Sequence, residues 1–333
     1  MTRGRVAGVA IAAVGVSLPE RALSNAEISL TLDTSDEWIR TRTGIRERRI
    51  AHPDQAPSDL AVEAGAQALE RAGHRAGDID LVISSSLVPD MVFPATAAIV
   101  ADRLGAGAAG AFDVQAGCAG FVYALAAAAA FLGSGMYETA LVLGAEVVSR
   151  GLDWTDRSTC VLFGDGAGAA VVTQAPDDAV FTFDLGADGA GMPFLNMPAG
   201  GARLPASEQT VRERQHFLKM NGREIFRFAT RTVTDSCVRV LEQAGLTVRD
   251  IDLFVPHQAN LRIIAHVAER LGFTPAQLVT NLERFGNTSC ASIPLCLAEA
   301  QADGRLKDGS RLLLAGFGAG LAWGTCVTTW RTS

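Results

Sequence analysis

A cysteine and an asparagine, each followed by small residues, and a histidine could together handle a thioester or an amide. Cys118 lies in Phe112-Asp113-Val114-Gln115-Ala116-Gly117-Cys118-Ala119-Gly120-Phe121. This pattern predicts a strand over about 111–114, a tight turn of small residues, and a helix that starts near the thiol. A helix N-terminus offers unsatisfied N–H groups and the positive end of the helix dipole, which favour a thiolate. Gly117, Ala119 and Gly120 leave room for a substrate. His257, in Val255-Pro256-His257-Gln258-Ala259-Asn260, follows an apolar run and is expected at the C-terminal end of a strand, where α/β sites gather. Asn287, in Arg284-Phe285-Gly286-Asn287-Thr288-Ser289-Cys290, precedes small residues that would let it face a cavity. Two chemistries fit this trio. One is a protease-like Cys-His-Asn set; the other is thioester chemistry, with His and Asn donating to a carbonyl that becomes an enolate.

Other residues of the same types read as structural. Cys160, Cys237, Cys290, Cys296 and Cys326 lie in apolar runs, the usual place of a buried free thiol. His266 falls in a helix, and His52, His74 and His216 in polar stretches expected at the surface. No CxxC pair or zinc-type Cys/His spacing is present, so neither a metal nor a disulfide framework is expected.

An internal repeat would position the trio. Leu69-Glu70-Arg71-Ala72-Gly73 precedes Asp78-Ile79-Asp80-Leu81-Val82; 172 positions on, Leu241-Glu242-Gln243-Ala244-Gly245 precedes Asp250-Ile251-Asp252-Leu253-Phe254. Each reads as an amphipathic helix (about 58–72 and 224–244) closed by a glycine cap, then a loop and a buried strand. A looser echo links the glycine-rich residues 163–168 and 316–320, both read as turns feeding strands. Residues 1–16 read as a first strand. The halves fall at about 1–175, carrying the cysteine, and 176–333, carrying His and Asn. The second opens with a loop over about 176–215. Helices alternating with strands give an α/β class of layered sheets.

Composition bounds the rest. The chain has 333 residues, 48% of them hydrophobic, and a formal net charge of −7, enough for a large core and too acidic for non-specific nucleic-acid binding. The alanine-rich run 119–135 is shorter than the roughly 20 strongly apolar residues of a membrane span. A helix buried between sheets is expected instead. No secretory leader is read at the start, and six free cysteines suit a reducing cytoplasm.

Six motifs in order resemble the β-ketoacyl-acyl carrier protein synthase III family, thiolase-like condensing enzymes. They are residues 34–39 (Thr-Ser-Asp-Glu-Trp-Ile) with 40–48, residues 116–121, Asp156-Arg157 with 163–170, 256–261, 286–294 and the 316–324 turn. The resemblance implies a homodimer of five-layered αβαβα subunits with an internal duplication. It implies that Cys118 accepts an acyl group from coenzyme A. His257 and Asn287 would hold the enolate left when a malonyl thioester loses CO₂. The backbone N–H groups of Cys118 and Ala319 would form the oxyanion hole. No bound cofactor is expected, coenzyme A entering as a thioester substrate. Trp38 and Arg157 would sandwich its adenine, with Arg42 at its phosphates and Thr34 nearby. Phe93 would close the partner's acyl pocket, lined also by Phe163 and Leu218. Malonyl-acyl carrier protein is the expected second substrate. Its acidic surface would dock on Arg223, Arg227, Arg231, Arg262 and Arg270.

Residues 316–320 lack the second cysteine of degradative thiolases, and Asn287 stands where elongating synthases have a second histidine. Both point to decarboxylative, coenzyme A-primed condensation. Relatives that transfer acyl groups to oxygen or nitrogen, make quinolone precursors or prime aromatic polyketides remain the alternative. A cysteine hydrolase and a non-catalytic partner of the same fold are more distant ones.

Overall fold

Gly8, at φ +74°, lets the chain turn between two strands that enter different sheets; only glycine adopts that conformation without a Cβ penalty. Arg5–Ala7 pairs antiparallel with Val180–Ala187, whereas Val9–Ser17 pairs antiparallel with Gly166–Gln174. The single first strand expected over 1–16 is therefore two. The computed structural model describes residues 4–331, so the expected start of that strand lies outside the described residues.

The first sheet runs Val9–Ser17, Gly166–Gln174, Thr139–Glu146, Leu81–Ser85, Gly110–Asp113. The second runs Arg5–Ala7, Val180–Ala187, Ala322–Thr329, Arg311–Gly318, Leu253–Pro256. The loop expected over 176–215 is thus partly wrong, because Val180–Ala187 is a full strand of the second sheet. Its run Val-Phe-Thr-Phe buries Phe181 and Phe183, which stack at 5.4 Å. Residues 316–318 likewise end the Arg311–Gly318 strand rather than forming the turn, which is confined to 319–321.

Two helices, Gly120–Gly133 and Ser292–Ala302, lie between the sheets. Phe121, Leu125, Ile293 and Leu297 pack with Ile83 and Val142 of the first sheet and with Val255 and Leu314 of the second. A helix with a sheet on each side is apolar all round, which explains its alanines and its resemblance to a membrane segment. Among the described residues no helix is long and apolar enough to cross a membrane. Burying each large core side chain contributes about 1.5–3 kcal/mol. Outside the first sheet, Leu60 of Pro57–Ala72 and Val100 of Thr96–Leu104 pack on Val82, Leu141 and Val171. Outside the second, Val240 of Thr234–Ala244 and Ile263 of Leu261–Leu271 pack on Phe254, Leu313 and Val327. The result is the five-layered αβαβα arrangement.

The repeat is visible in detail. Gly73 and Gly245 both cap their helices at φ +68°, each donating back to the glutamate three residues earlier. Asp78 and Asp250 then accept the N–H of Arg75 and Thr247 to close identical short 3-10 turns. The helix expected over 224–244 is continuous in direction but changes character: Gly222–Phe228 leads through a π turn, Ala229–Val233, into Thr234–Ala244.

Candidate active site

Cys118 sits in the 3-10 turn Gly117–Ala119 that opens the first central helix. Gly117 has φ +53°, and a Cβ there would lie 2.7 Å from Ala319 N. A Cβ on Gly318 would lie 2.7 Å from Cys118 N and 3.1 Å from Sγ. The 318–319 backbone therefore lies directly against the thiol, and only glycines allow it. Burial pushes the Cys118 thiol up to about 12, although the Ser289 hydroxyl, donating to Sγ at 3.2 Å, works the other way.

His257 follows the strand Leu253–Pro256 and is anchored by its own N–H, which donates to Ala315 O at 2.7 Å. Its ring meets Phe317 edge-on at 5.3 Å. Desolvation lowers it to about 3, so the imidazole is neutral. Its Nδ1 lies 2.7 Å from Ser292 Oγ, which in turn lies 2.7 Å from Ser289 O. The single Ser292 proton can serve only one of these two acceptors. It thereby couples to the histidine's tautomer.

Asn287 is held by its backbone, donating to Leu162 O and accepting from Gly164 N–H. Its Oδ1 accepts the Ser289 N–H at 2.8 Å. That assigns the amide orientation and leaves Nδ2 as a donor for the cavity. Cys118, His257 and Asn287 line one cavity of about 100 Å³, with Phe163, Leu195 and Phe317. Leu195 also borders a second cavity of about 420 Å³, lined by Gly117, Ala319, Leu87, Tyr123 and Leu218. The sequence-derived trio is brought together. Phe163 and Leu218 fall in different chambers, and Phe93 in neither. Phe93 is 82% exposed, on a loop with exposed Met91 and Val92.

A basic and aromatic cluster lies on the helix Asp36–Thr43, where the Arg42 carbonyl accepts from the Asn260 side chain of the small cavity's wall. Arg42 and Arg157 lie over Trp38, at 4.8 and 5.4 Å from the ring centroid. Arg157 also donates to the Asp33 carbonyl and carboxylate. With Arg157 in this position an adenine has no space against Trp38, so the expected sandwich requires the guanidinium to swing out. Thr34 Oγ1 is buried with no hydrogen-bond partner among the described residues. Arg262 lies 5.8 Å from the Phe226 ring, and Phe226 lines the small cavity. Arg223, Arg231 and Arg270 are exposed, but Arg227 is paired with Glu224 at 2.5 Å.

Several residues carry roles the motifs did not reveal. Arg48, within the basic stretch 40–48, is fully buried and donates to Leu23 O, Asn25 Oδ1 and Val161 O. Desolvation lowers it to about 10. It is a structural tie, not a ligand contact. His74 and His216 are half-buried rather than superficial, and His216 Nε2 lies 2.9 Å from Thr210 Oγ1. Ser289, Ser292 and Glu146 also escaped. Their only sequence signal was the repeat spacing, which places Ser289 at the counterpart of Gly117. Among the described residues no group of three His, Cys, Asp or Glu is placed to hold a metal ion.

Comparison with known proteins finds relatives along nearly the whole chain. Family models for 3-oxoacyl-acyl-carrier-protein synthase III match residues 112–189 and, for its C-terminal part, 241–330. The β-ketoacyl-acyl-carrier-protein synthase III of Symbiobacterium thermophilum is 50% identical over 98% of this chain and 99% of its own. The solved structure of the Thermus thermophilus synthase III is 46% identical with a TM-score of 0.89, covering 97% of this chain and 100% of that one. The priming β-ketosynthase of the R1128 polyketide pathway is 39% identical with a TM-score of 0.92, covering 98% and 97%. With identity at this level along nearly its whole length, the chain belongs to the β-ketoacyl-acyl-carrier-protein synthase III family.

Proposed function

We propose that the protein joins an acyl-CoA primer to malonyl-acyl carrier protein by decarboxylative Claisen condensation. The products are β-ketoacyl-acyl carrier protein, coenzyme A and CO₂, and the reaction initiates fatty acid synthesis. The observation that carries this reading is one cavity holding Cys118, His257 and Asn287 in a chain of this family.

Acyl-CoA enters past Trp38, Arg42, Thr34 and Arg157. Cys118 attacks the thioester carbonyl, whose oxygen takes the N–H groups of Cys118 and Ala319. The acyl chain extends toward Leu218 in the larger cavity, and Phe163 borders the reacting carbon. After coenzyme A leaves, malonyl-carrier protein binds the same cavity, its acidic face against Arg223, Arg231, Arg262 and Arg270. Arg227 contributes less there, because Glu224 already pairs with it. Loss of CO₂ leaves an enolate that needs hydrogen-bond donors and no positive charge. Asn287 Nδ2 is one. His257 Nε2–H is the other, once the Ser292 hydroxyl turns from the Ser289 carbonyl, to which it donates at rest, and donates to Nδ1 instead. A neutral imidazole donates without protonating the carbon that must attack. Each such donor contributes about 10²–10³-fold.

The exposed Met91-Val92-Phe93 loop supports a homodimer in which Phe93 closes the partner's larger cavity. Six free, buried cysteines support a cytoplasmic location. A second reading, priming of a polyketide, rests on the likeness to the R1128 ketosynthase and on the 420 Å³ cavity, which has space beyond an acetyl group.

The test is intact-protein mass spectrometry after mixing wild type and Cys118→Ala with a panel of acyl-CoAs. An acyl increment on wild type alone, discharged by malonyl-carrier protein into a β-ketoacyl product, is expected and names the primer. Discharge without a malonyl donor would replace condensation by acyl transfer or hydrolysis.

A further inference from the structure

Glu146 ends the strand Thr139–Glu146 and is completely buried, yet no cation faces it among the described residues. Its partners are all neutral. Leu87 N–H donates to both carboxyl oxygens at 3.0 Å, and Ser86 O–H donates at 3.3 Å. Cys290 Sγ lies 2.9 Å from Oε1. A carboxylate in such a place is costly as an ion. Burial accordingly raises its proton affinity above that of an ordinary glutamate.

Beside it stands Ser289, whose hydroxyl donates to Cys118 Sγ at 3.2 Å and is near enough to the Glu146 carboxyl to lower that group's proton affinity. Ser289 is held there firmly. It has φ +49°, rare for a residue with a side chain, its N–H donates to Asn287 Oδ1, and its carbonyl faces Ser292 Oγ. The chain thus keeps a strained serine between its candidate nucleophile and a buried, uncompensated carboxyl.

We propose that Ser289 and Glu146 form the proton path that deprotonates Cys118 for acylation, with Glu146 as the acceptor and Ser289 as the relay. This rests on Cys118 being the nucleophile. The other polar groups of the cavity are poor acceptors. The His257 imidazole is lowered to about 3, and Asn287 presents an amide donor. The Ser289 hydroxyl is in hydrogen-bond contact with Sγ, and the Glu146 carboxyl, 2.9 Å from the Sγ of the adjacent Cys290, lies just behind it as a general base.

The step balances. The Ser289 hydroxyl, which donates to Sγ at rest, first rotates toward the ionised Glu146 carboxylate; as sulfur attacks the acyl carbonyl, the Cys118 S–H proton passes to Ser289 Oγ while the Ser289 proton passes to Glu146. The bond from carbon to Cys118 sulfur forms. The bond from carbon to coenzyme A sulfur then breaks, and the proton returns along the same path to the departing coenzyme A thiolate beside Cys118. The sum is thioester exchange with no added oxidant or reductant.

The experiment compares two half-reactions in full-length Glu146→Gln, Ser289→Ala and Ser289→Thr proteins. Single-turnover acylation of Cys118 by acetyl-CoA is followed by mass spectrometry from pH 5.5 to 9. Decarboxylation of malonyl-carrier protein is measured with each change placed in the Cys118→Ala background. The titratable groups facing Glu146 are the thiols of Cys118 and Cys290. The expected result is a split. Acylation falls about 10²–10⁴-fold in Glu146→Gln and Ser289→Ala, and its pH profile moves to higher pH. Decarboxylation does not follow, and Ser289→Thr restores much of the acylation. Wild-type acylation in both deletion variants, or a parallel loss of both half-reactions, overturns the proposal. If Glu146→Gln does not fold, Ser289→Ala and Ser289→Thr decide alone. Failure of the wild type to acylate would count against Cys118 as nucleophile, a different outcome.

Discussion

Cys118 and Cys290 stand 172 positions apart, each in a 3-10 turn that opens one of the two central helices. The residue before each has positive φ, Gly117 at +53° and Ser289 at +49°. The fold offers both thiols the same helix terminus, yet their surroundings differ at three matched positions. Against Cys118 lies Gly318, which has no side chain; at the matched position in the other half Glu146 lies against Cys290. His257 stands in the Cys118 cavity, while its counterpart Ser85 presents only a carbonyl to Cys290, at 2.9 Å. Gly117 leaves room beside the Ala319 backbone; Ser289 fills the corresponding space and reaches across to Cys118. On the proposed mechanism, a helix dipole alone therefore does not make a nucleophile. Space in front of the sulfur and donors beyond it do, and the repeat supplies these on one side by deleting side chains that it keeps on the other.

The sharpest break in this comparison is Cys118→Ser. Acylation should fall by about 10⁴-fold or more, and peptide mapping should find no acyl group on Cys290, because Glu146 and Ser85 occupy the approach. An acylated Cys290 in the variant would mean that the helix terminus suffices after all.

His257→Ala and Asn287→Ala should each slow decarboxylation by about 10²–10³-fold while Cys118 still accepts an acyl group. Stopped-assay quantification of CO₂ beside intact mass reads both at once. His257 also has a stability signature. The unfolded chain binds a proton on this imidazole below its ordinary 6.5, the folded protein only near 3. The unfolded state thus holds more protons between those values, and stability falls as pH drops through that window. The His257→Asn variant should lose that part of the acid sensitivity in denaturant titrations from pH 7 to 4, and an unchanged slope would remove His257 as its source.

Gly318→Ala asks whether empty space is the decisive difference. Its Cβ would lie 2.7 Å from Cys118 N and 3.1 Å from Sγ, so the thiol or the turn must move. A shift of about 1 Å costs on the order of 10²-fold in rate. An equal substitution at exposed Gly77, where nothing lies within 4 Å, controls for a general effect of losing a glycine. Acylation at the wild-type rate in Gly318→Ala would show that the cavity wall is not what separates the two cysteines.

The contrast also explains what the sequence could reveal. Cys118 and His257 were legible because each closes a regular element with a short run of characteristic neighbours. The matched Ala-Gly caps at Gly73 and Gly245 exposed the repeat. The strand Val180–Ala187 was not, because the turn residues around it outweighed a short alternation whose partners, Arg5–Ala7 and Ala322–Thr329, are remote in sequence. Arg48 could not be told from Arg42 or Arg46 by type or spacing; only burial beside Leu23 and Val161 separates them. Ser289 and Glu146 lie 143 positions apart and meet only because the halves pack face to face.

The smallest expected effect tests the quiet member of the pair. Cys290→Ala removes a thiol that lines neither of the two cavities at the site and whose own proton is held far above the usual thiol range by burial and by Glu146. It also removes one neutral donor from Glu146 and leaves a void the size of one sulfur. Stability should fall by about 1–2 kcal/mol, readable as a shifted midpoint in urea at unchanged slope. The rate of Cys118 acylation should change by less than about tenfold, the scale of one neutral hydrogen bond. Because Glu146 keeps Leu87 and Ser86 in this variant, the change in rate measures how far one more donor tunes the carboxyl. A loss as deep as that of Cys118→Ser would instead make Cys290 a partner in the chemistry and dissolve the asymmetry between the halves.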